Sequence, residues 1–180
     1  DRMERMIALL RGINVGGRSL PMAELRALCA ELGWEEVKTY IQSGNIVFAA
    51  GGKPAALEAE LEKAIERRFE MKVPTIIRTA LQWSDVLAKN PFRGLAEETP
   101  NWLLLMVGKT PPPAGIAPAM EATGQAEERV RSAGGILWIH YPAGVGRSKL
   151  VWPKKFEGAP FVATTRNHRT AVKLREMAEA

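Results

Sequence analysis

The sequence predicts an α+β fold in which strands and helices follow the order βαββαβ in the first half and partly repeat it in the second. Three observations support this prediction: short apolar runs that end in glycine-rich loops, apolar residues at helical spacing, and hairpin turns between alternating segments. The 180 residues are 46% hydrophobic and 25% charged, which is ordinary for a folded globular protein. This length fits one domain or two small ones.

The first half contains six predicted elements. They are a buried strand at 6–11, a helix between Pro21 and Gly33, a hairpin of strands 37–41 and 46–50, a helix at 57–69 after Pro54, and a strand at 73–78. Proline near a helix start and glycine after a helix end are the usual boundary signals. The order βαββαβ defines the ferredoxin-like fold, which we expect for residues 3–80.

The second half is expected to form a second, incomplete ferredoxin-like half over residues 81–180, packed with the first as one compact unit. Its predicted elements are a strand at 102–107, a short helix near 117–122, a hairpin within 128–141, a helical segment at 148–156 and a basic terminal helix at Arg166–Glu179. Residues 80–100 are predicted to connect the halves. Sequence identity between the halves is too low to identify a repeat.

The positive charge of the chain lies near its C-terminus. The net charge is +5, and the last forty residues hold eight of the 25 Lys and Arg but three of the 20 Asp and Glu. The preceding residues therefore hold seventeen of each sign. Such a basic region attracts phosphates, nucleic acids or acidic partners, although a solvated basic surface has the same composition.

Three polar, loop-borne segments are the candidate sites. The glycines of RGINVGGR (11–18) permit a close backbone approach to a ligand or simply a tight turn, and the hairpin at 43–45 is expected at the same end of the sheet. YPAGVGRSKL (141–150) places cations beside a flexible turn. The predicted ligand-binding residues are Arg11, Asn14, Gly16, Gly17, Ser43, Asn45, Ser148, Lys149, Thr165, Arg166, Asn167 and Arg169.

The third segment, ATTRNHRT (163–170), is predicted to begin the terminal helix, with Thr164 or Thr165 as its N-cap. Arg166, Arg169 and Lys173 would then share one stripe of that helix. Arginines are unfavourable at the positive N-terminal end of a helix. A bound anion or an internal carboxylate would reverse this effect, and a third alternative is that neither is present.

The sequence gives no standard catalytic set, and the catalytic residues are not predicted. Its two histidines lack further metal ligands at suitable spacing, and Cys29 lies on the apolar side of a helix, so we expect no metal and no cofactor. His168 is either an acid–base group or a surface histidine. No apolar run is long enough for a membrane span and no signal peptide is recognisable, so a cytoplasmic location without membrane association is expected.

Five ordered motifs are similar to those of the domain-of-unknown-function 1697 family: RGINVGG, TYIQSGNIVF, NPF, YPAGVGRSKL and ATTRNHRT. The resemblance implies a cytosolic bacterial α+β protein with ferredoxin-like elements and no established activity. Tryptophan is usual in the family where this chain has His168, which argues against an aromatic stack there. The family's recurring polar residues correspond here to the predicted ligand-binding residues other than Arg169. They also include Gly44 and Thr170.

The sequence leaves three functions open. The first is binding of nucleic acid or another phosphate-containing ligand, indicated by the basic C-terminal region, although the aromatic residues of RNA-recognition sheets are missing. The second is an enzyme for a small phosphorylated or carboxylated metabolite. The third is a protein–protein module that uses a sheet edge or a homodimer face. The oligomeric state is not predicted.

Overall fold

The structure is a computed structural model that describes residues 2–125 and 127–180. Over these residues the chain forms a mixed α+β structure with two four-stranded antiparallel sheets. It divides into two compact units, of which the first comprises the chain up to Ser84 together with Lys173–Ala180, and the second comprises Asp85–Val172. Each unit contains one of the sheets.

The first unit contains the six elements that the sequence predicts for it. They are β1 (Glu4–Leu10), α1 (Met22–Glu31), β2 (Glu35–Tyr40), β3 (Asn45–Ala50), α2 (Pro54–Phe69) and β4 (Thr75–Thr79). A further helix, α3 (Ala80–Ala88), follows. The strands lie in the order β2-β3-β1-β4. The positions of these six elements are therefore confirmed.

The core of the first unit lies between one face of its sheet and helices α1 and α2. Alternate residues of β1, such as Met6 and Ala8, point to this face and are fully buried. Leu25 of α1 and Leu61 of α2 pack into the same cluster. Trp34 stacks on Phe48 with ring centroids 4.1 Å apart. Because their apolar residues recur at helical spacing, α1 and α2 each have an apolar side, and these sides cover this face of the sheet.

Helix α2 also closes the outer edge of the sheet. Strand β4 lies at that edge, and the N–H groups of Thr75 and Ile77 donate to the carboxylates of Glu62 and Glu58, at 2.8 Å each. Glu58 also lies 3.7 Å from Arg78. Edge strands with free N–H groups invite pairing with another chain. At these two positions the edge is already occupied by side-chain acceptors.

The second unit contains the following elements. They are α4 (Arg93–Glu98), a 3₁₀ turn (Pro100–Trp102), β5 (Leu103–Gly108), α5 (Ile116–Glu121), β6 (Arg129–Ala133), β7 (Ile136–His140), two 3₁₀ turns (Val145–Arg147 and Lys154–Phe156), β8 (Ala163–Asn167) and the first residues of α6 (His168–Glu179). The strand order is β6-β7-β5-β8. Helix α5 covers one sheet face, and Leu150, Trp152 and Phe156 pack against the same cluster.

Two predictions for the second half are wrong. Residues 148–156 form no α-helix, because Pro153 lacks an N–H and would break one; the Val151 N–H instead donates to the Thr123 hydroxyl at 3.0 Å. The terminal helix begins at His168 rather than at Arg166. Residues 163–167 form a fourth strand, β8, so the second half has a full set of four strands and lacks a helix between β7 and β8.

Strand β8 forms because it completes an antiparallel ladder with β5, in which Arg166 lies opposite Leu105. The β-branched Thr164 and Thr165 are compatible with a strand, but the pairing with β5 is what makes this segment one. Asn167 provides the helix cap that was expected from a threonine: its Oδ1 accepts the Thr170 N–H at 2.9 Å. The predicted stripe of Arg166, Arg169 and Lys173 on one helix is therefore wrong.

Candidate functional site

The predicted site residues of the first unit lie in two segments that meet. Asn14 connects them, because its Nδ2 donates to the carbonyl oxygens of Leu20 at 3.0 Å and Gln42 at 2.7 Å. Its Oδ1 accepts the Leu20 N–H at 2.8 Å. The Leu10 N–H donates to the Gly44 carbonyl at 2.9 Å. The glycine-rich loop and the hairpin thus adjoin, and the Asn14 amide holds them together.

Gly16 and Gly17 form a tight turn within the loop. Their φ angles are +56° and +83°, and the Arg18 N–H donates to the Val15 carbonyl across them at 3.0 Å. Two successive positive φ angles are typical of a type I′ turn, which glycine adopts without strain. The exposed Arg11 side chain lies on the same loop, and its backbone N–H donates to the Pro74 carbonyl at 3.0 Å.

Asn45 is buried and serves the hairpin itself. Its Nδ2 donates to the Tyr40 carbonyl at 2.9 Å and to the Ser43 hydroxyl at 3.0 Å. Gly44 fits closely against the loop, because a Cβ at this position would lie 2.7 Å from Ile13 Cδ1 and 2.9 Å from Leu10 Cβ. Asn14 and Asn45 therefore make internal contacts, and of the predicted site residues in these two motifs Arg11 and Ser43 have exposed side chains.

A pocket of about 290 Å³ lies in the second unit, and the segment Tyr141–Ser148 forms most of its wall. The residues that line it are Gln125, Glu127, Glu128, Tyr141, Pro142, Ala143, Gly144, Arg147 and Ser148. Gly144 has φ of +84°, which lets the chain turn sharply at the wall. Of the predicted site residues, Ser148 belongs to this pocket, and the neighbouring Lys149 is exposed.

Glu128 organises the polar side of the pocket. Its carboxylate accepts the Gln125 N–H at 2.7 Å and the hydroxyl hydrogen of Ser148. The Ser148 oxygen in turn accepts the Leu150 N–H at 3.0 Å, so the hydroxyl is held in one orientation. Each carboxylate oxygen has a second lone pair. The carboxylate can therefore accept further hydrogen bonds from a ligand.

Tyr141 and Arg147 add a phenol and a cation to the same pocket. Burial raises the pKa of Tyr141 above its usual value of 10, and the negative charge of Glu128 raises it further. The phenol consequently keeps its proton at neutral pH and can donate a hydrogen bond. Arg147 is exposed. The pocket thus combines a carboxylate, a phenol, a fixed hydroxyl and a guanidinium.

The remaining predicted site residues lie at the β8–α6 junction. Thr165 is exposed, whereas Arg166 is buried and donates from Nη1 to the Thr164 hydroxyl at 2.8 Å and the Thr165 carbonyl at 2.9 Å. Burial lowers the pKa of Arg166 to about 10, which leaves it cationic at neutral pH. Asn167 uses its side-chain oxygen to cap α6.

Arg169 is the exposed cation of the same junction. Its Nε donates to the Asn101 side-chain oxygen at 2.9 Å. This acceptor is neutral, as are the Thr164 and Thr165 oxygens that Arg166 contacts. His168 is the first residue of α6 and is half-buried.

The other histidine, His140, is the last residue of β7. Its Nε2 is 3.0 Å from the Thr99 hydroxyl. Burial lowers the pKa of His140, so its imidazole is neutral at neutral pH. A neutral, buried histidine with a threonine partner is consistent with a structural role in the strand.

Sequence reasoning missed Glu128 and Tyr141. Tyr141 begins the motif YPAGVGRSKL, but its residue type alone does not indicate a site. The sequence also gives no reason to single out Glu128, since one glutamate near a hairpin carries no spacing signal. The described ranges 2–125 and 127–180 bring no three His, Cys, Asp or Glu side chains together in a way that suits a metal ion. They also include no helix whose length and apolarity would allow it to cross a bilayer.

The fold and the pocket define a class: an α+β protein with two four-stranded antiparallel sheets and a small polar pocket in the second unit. The chain belongs to the family described as protein of unknown function (DUF1697), whose model matches residues 3–138. This confirms the family indicated by the sequence motifs. The matched segment ends just before the pocket wall formed by Tyr141–Ser148.

Comparison with solved structures extends the similarity to the rest of the chain. The protein is similar to the conserved bacterial protein SP0830 from Streptococcus pneumoniae, with 25% sequence identity and a TM-score of 0.75. The alignment covers 98% of this chain and 99% of that one. The search of curated proteins found no match.

Proposed function

We propose that the protein binds a small phosphate-containing molecule in the pocket of the second unit. The observation that supports this proposal is that Arg147, Glu128, Ser148 and Tyr141 all line one small pocket. A phosphate would contact the guanidinium, which forms charge-assisted hydrogen bonds with such anions. The basic excess of the last forty residues would raise the local concentration of anions.

The size of the pocket favours a small molecule over a polymer. Its volume of about 290 Å³ is near the lower end of the roughly 300–1,000 Å³ typical of small-molecule sites. Glu127 and Glu128 line the same pocket and would repel a ligand that carried only negative charge. The proposed ligand therefore also carries hydroxyl or amino donors, which the Glu128 carboxylate would accept.

Isothermal titration calorimetry with sugar phosphates and nucleoside monophosphates tests the proposal. Arg147→Ala should weaken binding by about tenfold or more, because hydrogen bonds to charged groups contribute about 1.5–3 kcal/mol. Lys154→Ala is the matched control, since Lys154 is an exposed cation of the same unit that does not line the pocket. Absence of binding by every compound, or an equal loss in both variants, would refute the proposal.

An enzyme acting on such a molecule is the second candidate function. The observation that favours it is the hydrogen bond from the Ser148 hydroxyl to the Glu128 carboxylate, which orients a hydroxyl oxygen beside a base. Ser148→Ala should then abolish turnover of the bound compound while leaving its affinity nearly unchanged. Unchanged turnover in this variant would exclude the enzymatic role of Ser148.

We infer that the first unit is ferredoxin-like and that the second is a variant of it, since both strand orders place the first and third strands of the unit at the centre of the sheet. We also propose a cytoplasmic location, supported by a single cysteine that is buried. Nucleic acid remains an alternative ligand on the strength of the basic region alone.

A further inference from the structure

We propose that the ligand of the second-unit pocket is a mononucleotide whose base stacks on Trp102. This inference rests on the proposed function and specifies its ligand class. Trp102 is 42% exposed, although tryptophan is usually highly buried. An exposed aromatic ring beside an anion-binding pocket is the combination that recognises a base together with its phosphate.

Trp102 adjoins the pocket through two contacts with its wall. The Tyr141 N–H donates to the Trp102 carbonyl at 2.9 Å. A Cβ built on Gly144 would lie 3.4–3.6 Å from three atoms of the indole, so the gap between the ring and this pocket residue has room for little more than that one atom. Both Tyr141 and Gly144 line the pocket. A ligand in the pocket can therefore extend a planar group towards the accessible part of the indole.

The backbone of Trp102 is held in place before any ligand arrives. The Trp102 N–H donates to the Thr99 carbonyl at 3.0 Å, which together with the Tyr141 bond fixes the backbone on both sides of the side chain. Asn101 precedes Trp102 and accepts the Arg169 Nε hydrogen, so a second exposed cation lies close to Trp102. A backbone that is already ordered loses little conformational entropy on binding.

The polar groups of the pocket suit the remainder of a nucleotide. Glu128 accepts hydrogen bonds, as a ribose with two hydroxyl groups requires, and Arg147 supplies the cation for a phosphate. A sugar phosphate would use these groups but leave the indole exposed. A mononucleotide is thus the small phosphorylated compound that engages all of these features.

The test compares adenosine and uridine monophosphates with ribose 5-phosphate by calorimetry. In the unmodified protein both nucleotides should bind about tenfold more tightly than ribose 5-phosphate, in line with the contribution of base–aromatic stacking. Trp102→Ala should remove this difference and leave the affinity for ribose 5-phosphate unchanged. Trp102→Phe should retain most of it. Leu81→Ala removes another exposed apolar side chain and should change nothing.

Tryptophan fluorescence gives a second readout. Trp34, Trp83 and Trp138 are buried and Trp152 is half-buried, so Trp102 is the ring that a ligand would contact. Adenosine monophosphate should quench the emission of the unmodified protein. The quenching should disappear in Trp102→Phe, even though calorimetry still detects binding.

The outcomes separate this inference from the proposed function. Equal affinities for nucleotides and ribose 5-phosphate would overturn the mononucleotide assignment and leave the proposed function intact. Persistence of the nucleotide preference in Trp102→Ala would overturn the role of Trp102. Binding of single-stranded oligonucleotides alone would overturn the assignment in favour of a polymer. Failure of every phosphorylated probe to bind would overturn both.

Discussion

Replacing Gly44 by alanine should destabilise the first unit by more than a change of backbone preference explains. Gly44 has φ of +88°, and its added Cβ would lie 2.7 Å from Ile13 Cδ1 and 2.9 Å from Leu10 Cβ. Real Cβ atoms essentially never come this close to other heavy atoms. Ile13 and Leu10 are buried, so neither can move aside without disturbing the junction of loop and hairpin.

The magnitude has two parts. A left-handed conformation costs an L-residue about 1–2 kcal/mol, of which roughly 0.4–1 kcal/mol is offset by the reduced entropy of the unfolded chain. Overpacking a well-filled core adds about 1–3 kcal/mol. Gly44→Ala should therefore lower the free energy of unfolding by roughly 2–4 kcal/mol.

Gly33→Ala is the matched control, because Gly33 has a nearly identical φ of +85° and no heavy atom within 4 Å of its added Cβ. It should cost only the backbone part, about 1 kcal/mol. Urea denaturation followed by circular dichroism measures both variants. If Gly44→Ala costs no more than Gly33→Ala, the close packing of loop against hairpin is refuted.

Three further predictions concern single side chains. Glu58→Ala should lower the free energy of unfolding by about 1–3 kcal/mol, because it leaves the Ile77 N–H without this acceptor. The control Glu60→Ala, at an exposed position of the same helix, should change it by about 0.5 kcal/mol or less. Equal effects of the two substitutions in urea denaturation would contradict the role of Glu58 at the sheet edge. Asn167→Ala should lower the free energy of unfolding by about 1 kcal/mol, because α6 loses its N-cap, and Thr165→Ala should lower it much less. If urea denaturation shows a larger loss for Thr165→Ala, the helix start that the sequence predicts would be favoured instead. Burial raises the pKa of the Cys29 thiol to about 12, so iodoacetamide should label it at pH 8 on the order of a thousandfold more slowly in the native than in the unfolded protein. Rapid labelling of the native protein would contradict the burial of Cys29. Because the pKa of Cys29 is higher in the folded than in the unfolded protein, its contribution to stability should be intact below about pH 9 and decline towards pH 12.

The first unit could be predicted from sequence because its signals are local. Pro21, Gly33 and Pro54 mark helix boundaries, and each helix carries enough apolar residues at helical spacing to define its buried face. The hairpin at Gly44 has alternating residues before the turn and a buried apolar run, 46–50, after it. Local preference and tertiary packing agree throughout this half, which is the condition under which pattern reasoning succeeds.

Strand β8 could not be predicted in the same way. Its residues 163–167 are polar, short and directly continuous with α6, and the signal that makes them a strand is pairing with β5, some sixty residues earlier. The same limit applies to the candidate site. The motif around Ser148 is recognisable in the sequence, but its partner Glu128 lies twenty residues away, and only the folded chain shows their hydrogen bond.

The connection between β7 and β8 affects how the sequence can diverge among homologues. In the first unit, helix α2 spans the corresponding stretch, and its carboxylates are bonded to strand β4. In the second unit, residues 141–162 are largely irregular, and Leu150, Trp152 and Phe156 of this segment pack against the hydrophobic core. Irregular segments accept insertions and deletions that helices do not. Homologues can therefore reshape most of the pocket wall by altering this one segment while both sheets keep their architecture.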